Sequence, residues 1–395
     1  MRRERIVIVA GETSGVNLGA ALIRALRARR PALSFEGIAG PSMAAAGCEV
    51  WASAERLAVM GLFEVVRHLP ELLRLRRMVT ARALAHRPLA FIGVDAPEFN
   101  LGLAASLHAG GIPTVQYVSP PVWAWRQGRV RRMAATLDLV LCLLPFEQRF
   151  YDGHGLAAEF VGHPLADRVP LQPDRAAARR LLDLDPARTL VALLPGSRRG
   201  EVLRLAPDFL RAAELLAAGR AGVAFVAPMA NPAAREIFAA AIEARRRAGA
   251  VLALTLLDGQ AEAALTAADC ALVASGTATL EALLCKRPMV VAYRLGRATA
   301  LLVRAGGLMK ARYFAQPNLL AGRLVVPELL QEQATPARLA RELGGWLDDP
   351  PRVAALQEEF RRIHELLRRG ASERAAEAVL GLIDRRSAAA ARPAA

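Results

Sequence analysis

The chain has 395 residues, 54% of them hydrophobic, a length beyond what one ordinary core serves, so two domains of comparable size are expected. Its four cysteines, Cys48, Cys142, Cys270 and Cys285, lie far apart without a C-x-x-C pair or a nearby histidine couplet; this speaks against a disulfide framework and structural zinc and fits a reducing cytoplasm. The net charge of +15, carried mostly by arginine, calls for an anionic partner, but no zinc-finger spacing, RNP-like aromatic motif or Lys/Arg tail accompanies it. Nucleic acid is therefore not expected, which leaves a phospholipid surface, an anionic lipid substrate or simply an arginine-rich proteome.

The opening stretch has a few basic residues and a short apolar run, Ile6–Ala10, interrupted by Gly11 and Glu12. It reads as a first strand and not as a signal peptide. No stretch reaches the roughly 18 apolar residues of a membrane span, so any bilayer contact is expected to be peripheral. Strands are predicted at Arg5–Ala10, Ser34–Ala39, Ala90–Val94, Thr114–Val118, Leu137–Cys142 and Ala158–Val161, with helices such as Asn17–Arg29 and Val130–Ala135 between them. From Val59 to Val79, leucines and valines mix with Arg67, His68, Arg74, Arg76 and Arg77, and Pro70 marks a break between two helical pieces. This pattern suits either an apolar face with a basic border lying in a headgroup zone or a helix buried on the sheet.

Prolines near Pro170–Pro173 signal a boundary, a polar helix follows at Arg175–Leu182, and the strand pattern begins afresh. Strands are expected at Leu190–Leu194, Val223–Ala227, Leu252–Thr255, Cys270–Ala274 and Met289–Ala292, and helices at Ala206–Ala217 and Ala233–Ala248. Asp349–Arg369 reads as a closing helix and Ser387–Ala395 as a disordered tail. The fold class is α/β, with two doubly wound Rossmann-like domains facing a cleft (GT-B type). Residues 1–170, completed by C-terminal helices in 345–386, form the first domain, and 171–344 form the second. Ligands of such sheets bind at the carboxyl ends of the strands.

Two turns in the second half suit a diphosphate. After Cys270–Ala274 come Ser275-Gly276-Thr277, opening a helix whose free N–H groups and positive dipole end suit an anion, with Glu281 about a turn further on to meet ribose hydroxyls. The same residues equally describe an ordinary capped helix start. After Leu190–Leu194 comes Pro195-Gly196-Ser197-Arg198-Arg199, where guanidinium forks match phosphate oxygens or are simply solvated. In Gln316-Pro317-Asn318, Asn318 is either a nucleotide contact or a turn former.

In the first half, Gly11-Glu12-Thr13-Ser14-Gly15 follows the first strand but lacks a full G-x-G-x-x-G, so a close backbone approach to an acceptor sugar accounts for it at least as well as a dinucleotide site. Asp95, at the end of Ala90–Val94 and followed by Ala96-Pro97-Glu98-Phe99-Asn100, is a candidate general base or a helix cap. Trp123, Trp125 and Arg126 sit in a proline-bearing connection where aromatic faces suit a sugar, an acyl chain or core packing.

Taken in order, G-E-T-S-G, G-P-S-M-A-A-A-G-C, D-A-P-E-F-N, Y-V-S-P-P-V-W-A-W-R, F-V-G-H-P-L-A-D, L-L-P-G-S-R, S-G-T-A-T-L-E and P-N-L-L-A-G-R make the sequence resemble the lipid-A-disaccharide synthase family along nearly its whole length. The resemblance implies a GT-B glycosyltransferase, free of metal and cofactor, at the cytoplasmic face of the inner membrane of a Gram-negative cell. Such an enzyme transfers diacylglucosamine from UDP-2,3-diacylglucosamine to 2,3-diacylglucosamine 1-phosphate with inversion. It further implies Asp95 as base, Arg198 with Ser275, Gly276 and Thr277 on the diphosphate, and Glu281 and Asn318 in the nucleotide pocket. Glu12, Ser14, Gly15, Trp123, Trp125 and Arg126 fall on the acceptor side, and C-terminally swapped homodimers are a further implication. This chain departs from the family pattern at Val16, where an Asp is usual, and at Glu98, where Asp is commoner. The alternatives are an epimerase of UDP-N-acetylglucosamine and a non-catalytic UDP-sugar or lipid binder.

Overall fold

The computed structural model describes residues 4–57, 62–122, 128–294, 296 and 312–391. The chain forms two compact units, Met1–Asp167 with Leu367–Ala395, and Arg168–Leu366.

The first unit contains strands β1 (Arg5–Ala10), β2 (Ser34–Ala39), β3 (Cys48–Ser53), β4 (Ala90–Val94), β5 (Thr114–Tyr117), β6 (Leu139–Cys142) and β7 (Ala158–Phe160). They form one seven-stranded sheet in the order β3-β2-β1-β4-β5-β6-β7, every pair parallel. β1 and β4 are almost wholly apolar because helices cover both faces of the sheet, leaving no solvated side to alternate toward. β3 was not expected from the sequence: Glu49 and Val50 are exposed on this edge strand, so it has no continuous apolar run. The helix Thr13–Arg29 buries Leu22, Ile23 and Leu26 in the same core as Ala375, Ala376, Val379 and Ile383 of the helix Ala371–Ala391. The Asp167 carboxylate fixes the start of that last helix by accepting from the amides of Gly370 (2.9 Å) and Ala371 (2.6 Å).

The second unit contains β8 (Thr189–Leu194), β9 (Val223–Met229), β10 (Leu254–Asp258), β11 (Cys270–Ala274), β12 (Met289–Tyr293) and β13 (Glu328–Leu330), again all parallel, in the order β10-β9-β8-β11-β12-β13. The helix Arg199–Gly219 presses Val202, Leu205 and Phe209 into this core, and buried Trp346 donates to the carbonyl of Met289 at 3.1 Å.

Several local expectations need correction. Pro70 does not divide two helices but lies inside the single helix Leu62–His86, and Pro207 likewise lies inside Arg199–Gly219. A proline removes one hydrogen bond and bends its helix, a cost that neighbouring turns can absorb. The chain returns to the first unit at Leu367 instead of near residue 345, so the helices Pro336–Leu347 and nearly all of Pro350–Leu367 stay with the second. Ser387–Ala391, expected to be disordered, continues the last helix, as an alanine run with high helix propensity can.

Candidate active site

In each sheet the strand order reverses once, between β1 and β4 in the first and between β8 and β11 in the second, and ligands of open α/β sheets bind at such switch points. The four motifs singled out from the sequence leave the carboxyl ends of those four strands.

In the first unit β1 runs into Gly11–Gly15 and β4 into Asp95–Asn100. A Cβ on Gly11 would stand 2.8 Å from the Ala96 Cβ, and one on Gly15 would stand 3.4 Å from the Val94 carbonyl and 3.5 Å from the Asp95 Cβ. These glycines therefore let the first helix start directly beside the Asp95 turn. Val16, the departure from the family pattern, is buried with its methyls against Gly40. Glu12 is half-buried and Ser14 is exposed. Asp95 and Ala96 are both left-handed, at φ 52° and 42°, a conformation L-residues adopt at a cost. Burial pushes the Asp95 carboxyl above its ordinary range, and the Ala96 amide partly offsets this by bonding to it. Glu98 holds Arg129 in a two-pronged pair, both contacts 2.7 Å, and the Arg129 guanidinium is held all the more firmly in its charged form. Trp123, Trp125 and Arg126 lie outside the described residues, as do residues 59–61 and the side chains of 62–68 from the basic amphipathic stretch. Of the described part, Leu69, Met78, Arg74 and Arg77 are exposed, whereas Leu75 and Val79 are buried on the sheet.

In the second unit β8 and β11 are direct neighbours, Leu194 pairing with Val273, so the Arg198 and Ser275 turns emerge side by side. Gly276 precedes the helix Thr277–Leu284, and no side chain caps that helix. Its φ of 142° and ψ of −158° belong to a region open essentially only to glycine. Gly276 and Thr277 are exposed, so an uncapped, positively polarised helix end is presented to solvent. Ser275 donates to the Phe314 carbonyl at 3.2 Å, and the Gln316 amide donates to the Thr279 hydroxyl at 3.1 Å, which ties 314–316 to this turn. Across from it, Glu201 accepts from the amides of Ser197 (3.3 Å) and Arg198 (3.4 Å), leaving the Arg198 guanidinium largely in solvent, 3.8 Å from the Glu201 carboxylate. Burial raises the Tyr293 phenol at the end of β12, Glu201 adds to this, and Arg198 and Arg204 pull it back. Half-buried Glu281 is pushed above the usual carboxylate range by burial; Arg168 lowers it and Glu262 raises it further.

Asn318 does not join this group. It is fully buried; its amide donates to the carbonyl of Val326 (2.9 Å) and to Glu328 (2.6 Å), and its oxygen accepts from the amides of Val325 and Val326. All four of its hydrogen-bonding positions are used inside the protein, so it shapes the segment behind the turn and has nothing left for a nucleotide. Glu328, which also accepts from the amides of Phe314 and Ala315, completes that brace. Asn231, missed in the sequence, caps the helix Pro232–Arg247 and donates to the Ser197 carbonyl at 2.9 Å; its position before Pro232 is the available signal. Among the described residues no group of three His, Cys, Asp or Glu could hold a metal ion, and no helix is long and apolar enough to cross a membrane.

Residues 6–381 match the model of the lipid-A-disaccharide synthetase family. The chain belongs to that family. The lipid-A-disaccharide synthase of Azotobacter vinelandii is 53% identical over 383 residues, covering 96% of this chain and 98% of its own length. Among solved structures, a glycotransferase of kitacinnamycin is similar with a TM-score of 0.60 at 18% identity, covering 97% of this chain and 100% of its own. The UDP-GlcNAc 2-epimerase of Neisseria meningitidis, bound to UDP-GlcNAc, reaches a TM-score of 0.63 at 10% identity, with 96% and 100% covered. These structural likenesses concern the fold alone, and it is the expected one, two doubly wound α/β domains of GT-B type. The sequence relatives are glycosyltransferases of lipid A biosynthesis, which does not favour the epimerase or the simple binder.

Proposed function

We propose that the chain transfers 2,3-diacylglucosamine from UDP-2,3-diacylglucosamine to 2,3-diacylglucosamine 1-phosphate with inversion, giving the β-linked disaccharide 1-phosphate and UDP. The observation that carries the reading is the pairing of each motif couple at a switch point: a half-buried carboxylate in one unit, an open helix start with a neighbouring guanidinium in the other. The leaving diphosphate takes up charge as the glycosidic bond breaks, and the amides of Gly276 and Thr277 with Arg198 stabilise it most where that charge develops. Asp95 accepts the proton of the attacking primary hydroxyl; the burial that raises its pKa makes its carboxylate a stronger base than an exposed one. Glu281 sits where a ribose would lie against the helix Thr277–Leu284, and Glu12, Ser14 and Gly15 border the acceptor side. Trp123, Trp125 and Arg126 are assigned to the acceptor on sequence alone. Support for a membrane-surface site comes from the net charge and from exposed Leu69 and Met78 beside Arg74 and Arg77. The same reading puts the enzyme at the cytoplasmic side of the inner membrane and extends to a homodimer.

The test is turnover: purified protein, both lipids in mixed micelles, and UDP release followed together with disaccharide formation. Asp95→Asn is expected to lower kcat by roughly 100-fold or more. Release of UDP without either lipid-dependence or sensitivity to Asp95→Asn would remove the assignment.

A further inference from the structure

The Asp95 turn is held by two carboxamides that converge on one carbonyl. Asn100, fully buried on the helix Pro97–Ala109, donates to the Asp95 carbonyl at 2.8 Å and lies 3.4 Å from those of Val9 and Val94. Gln116 on β5, only 1% exposed, donates to the same Asp95 carbonyl at 3.0 Å and reaches the carbonyls of Tyr117 (3.5 Å) and Val118 (3.3 Å). Each NH2 group thus faces three carbonyls, which fixes the orientation of both amides. Gly93 on β4 makes room for them: a Cβ there would stand 2.8 Å from the Asn100 Cβ and 2.9 Å from the Gln116 Oε1.

The arrangement is unfavourable in two respects. No described protein group donates to Asn100 Oδ1 or Gln116 Oε1, although both are buried, and a buried acceptor without a partner costs about 1–3 kcal/mol. The backbone it secures is itself strained: Asp95, Ala96 and Val118 all have positive φ, and at φ 77° the β-branched Val118 is a marked outlier. Gln116 touches both turns, the one carrying Asp95 and the one leading from β5 into Ser119-Pro120-Pro121. Strain of this kind persists only where the surroundings over-determine it, and such sites concentrate where a reacting group must be aimed.

We propose that Asn100 and Gln116, seated over Gly93, are positioning residues that clamp the left-handed Asp95 and Val118 turns and thereby aim the Asp95 carboxylate at the acceptor hydroxyl. The inference rests on Asp95 being the base. Neither carboxamide touches substrate; each acts through the backbone of residue 95.

Gln116→Met and Asn100→Leu remove the donors while keeping the volumes, and they also remove both unpaired acceptors. Loss of aim should lower kcat about 10-fold for Gln116→Met and about 100-fold for the double variant, with the donor KM unchanged. The thermal midpoint should fall less than the fall in kcat implies, because the two orphan acceptors that are removed offset the Asp95 carbonyl that loses its donors. Gly93→Ala, which displaces both native carboxamides, should show the same split of kcat from KM and carries the test if the double variant does not fold.

A second readout does not depend on turnover: the Asp95 carboxyl, followed by carbon NMR of labelled aspartate and assigned by its loss in Asp95→Asn, should titrate closer to its ordinary range in the clamp variants as the turn opens to water. Wild-type kcat and an unmoved Asp95 titration in folded Gln116→Met and Gly93→Ala would overturn the proposal, as would a loss of kcat that only follows the loss of folded protein. Full turnover by Asp95→Asn would instead defeat the base assignment, and the titration alone would then decide whether the clamp exists.

Discussion

Gly276→Ala isolates the turn proposed to bind the diphosphate from everything around it. A Cβ at this position meets nothing within 4 Å, so the substitution creates no clash and removes no packing. Its whole cost is conformational: at φ 142° and ψ −158° an alanine is strained by about 1–3 kcal/mol. The turn has two ways to respond. If it keeps its shape, stability falls by the strain; if it relaxes, the amides of Gly276 and Thr277 rotate away from a common focus and the lost free energy appears in ligand binding, where about 1–3 kcal/mol corresponds to roughly 5- to 150-fold in Kd. Calorimetric titration with UDP, paired with urea unfolding of the unliganded protein, measures both responses. Ser275, next to Gly276, restrains the turn from one side through its hydroxyl bond to Phe314, so a mixed response is expected, part in stability and part in binding. A variant that matches wild type in both UDP affinity and unfolding free energy would show that this turn is neither strained nor part of the donor site.

The Asp95 carboxyl is raised in the folded state by burial, so folding takes up protons there, and the charge penalty is fully present above the folded pKa and gone below the unfolded one. Asp95→Asn should therefore raise the thermal midpoint at neutral pH while abolishing most activity, the gain shrinking as pH falls; calorimetry across pH checks it. In the wild type, kcat/KM should fall on the acid side through a pKa above the ordinary aspartate range, seen in a pH–rate profile. Asn318→Ala removes four hydrogen bonds and takes that partner from the Val326 carbonyl and from the amides of Val325 and Val326, which should cost about 2–4 kcal/mol in urea unfolding yet change UDP affinity of the folded fraction by less than about threefold. Gly11→Ala, whose Cβ would stand 2.8 Å from the Ala96 Cβ, should lower kcat about 10-fold with UDP affinity intact, measured by turnover and titration side by side.

The sheets were legible where strands are covered on both faces. Arg5–Ala10, Ser34–Ala39, Ala90–Val94 and Cys270–Ala274 agree with the sequence to the residue, because a strand buried on both sides is mostly apolar and a turn must end it. The two missed strands, β3 and β13, are edge strands with two buried positions and one, and with Glu49 and Glu328 inside them. Helix starts were harder wherever proline lay inside the helix. At Pro207 the covalent rule is outweighed by the burial of Val202 and Leu205 on the preceding turns, a tertiary gain that local reading does not contain.

The site shows a sharper division. The residues proposed for the diphosphate, Arg198, Gly276 and Thr277, could be picked out because the chemistry of a phosphate-type turn is local to a few consecutive positions, and their groups are exposed in the structure. Residues that act by holding backbone were misread or missed, since their partners are distant in sequence: Asn318 was assigned to a ligand but spends every hydrogen bond on 325–328, while Asn100 and Gln116 drew no attention and meet at Asp95 from two different elements. The glycines of Gly11–Gly15 belong with the second kind. Their missing Cβ atoms face Ala96, Asp95 and Val94, so their sequence signature reports the proximity of another turn. The motifs of this chain therefore divide by a physical criterion: where polar groups are already satisfied within the fold, as at Asn318, they hold backbone, and where a helix start opens without a side-chain cap, as at Gly276 and Thr277, its amides are the ones proposed to meet the leaving diphosphate.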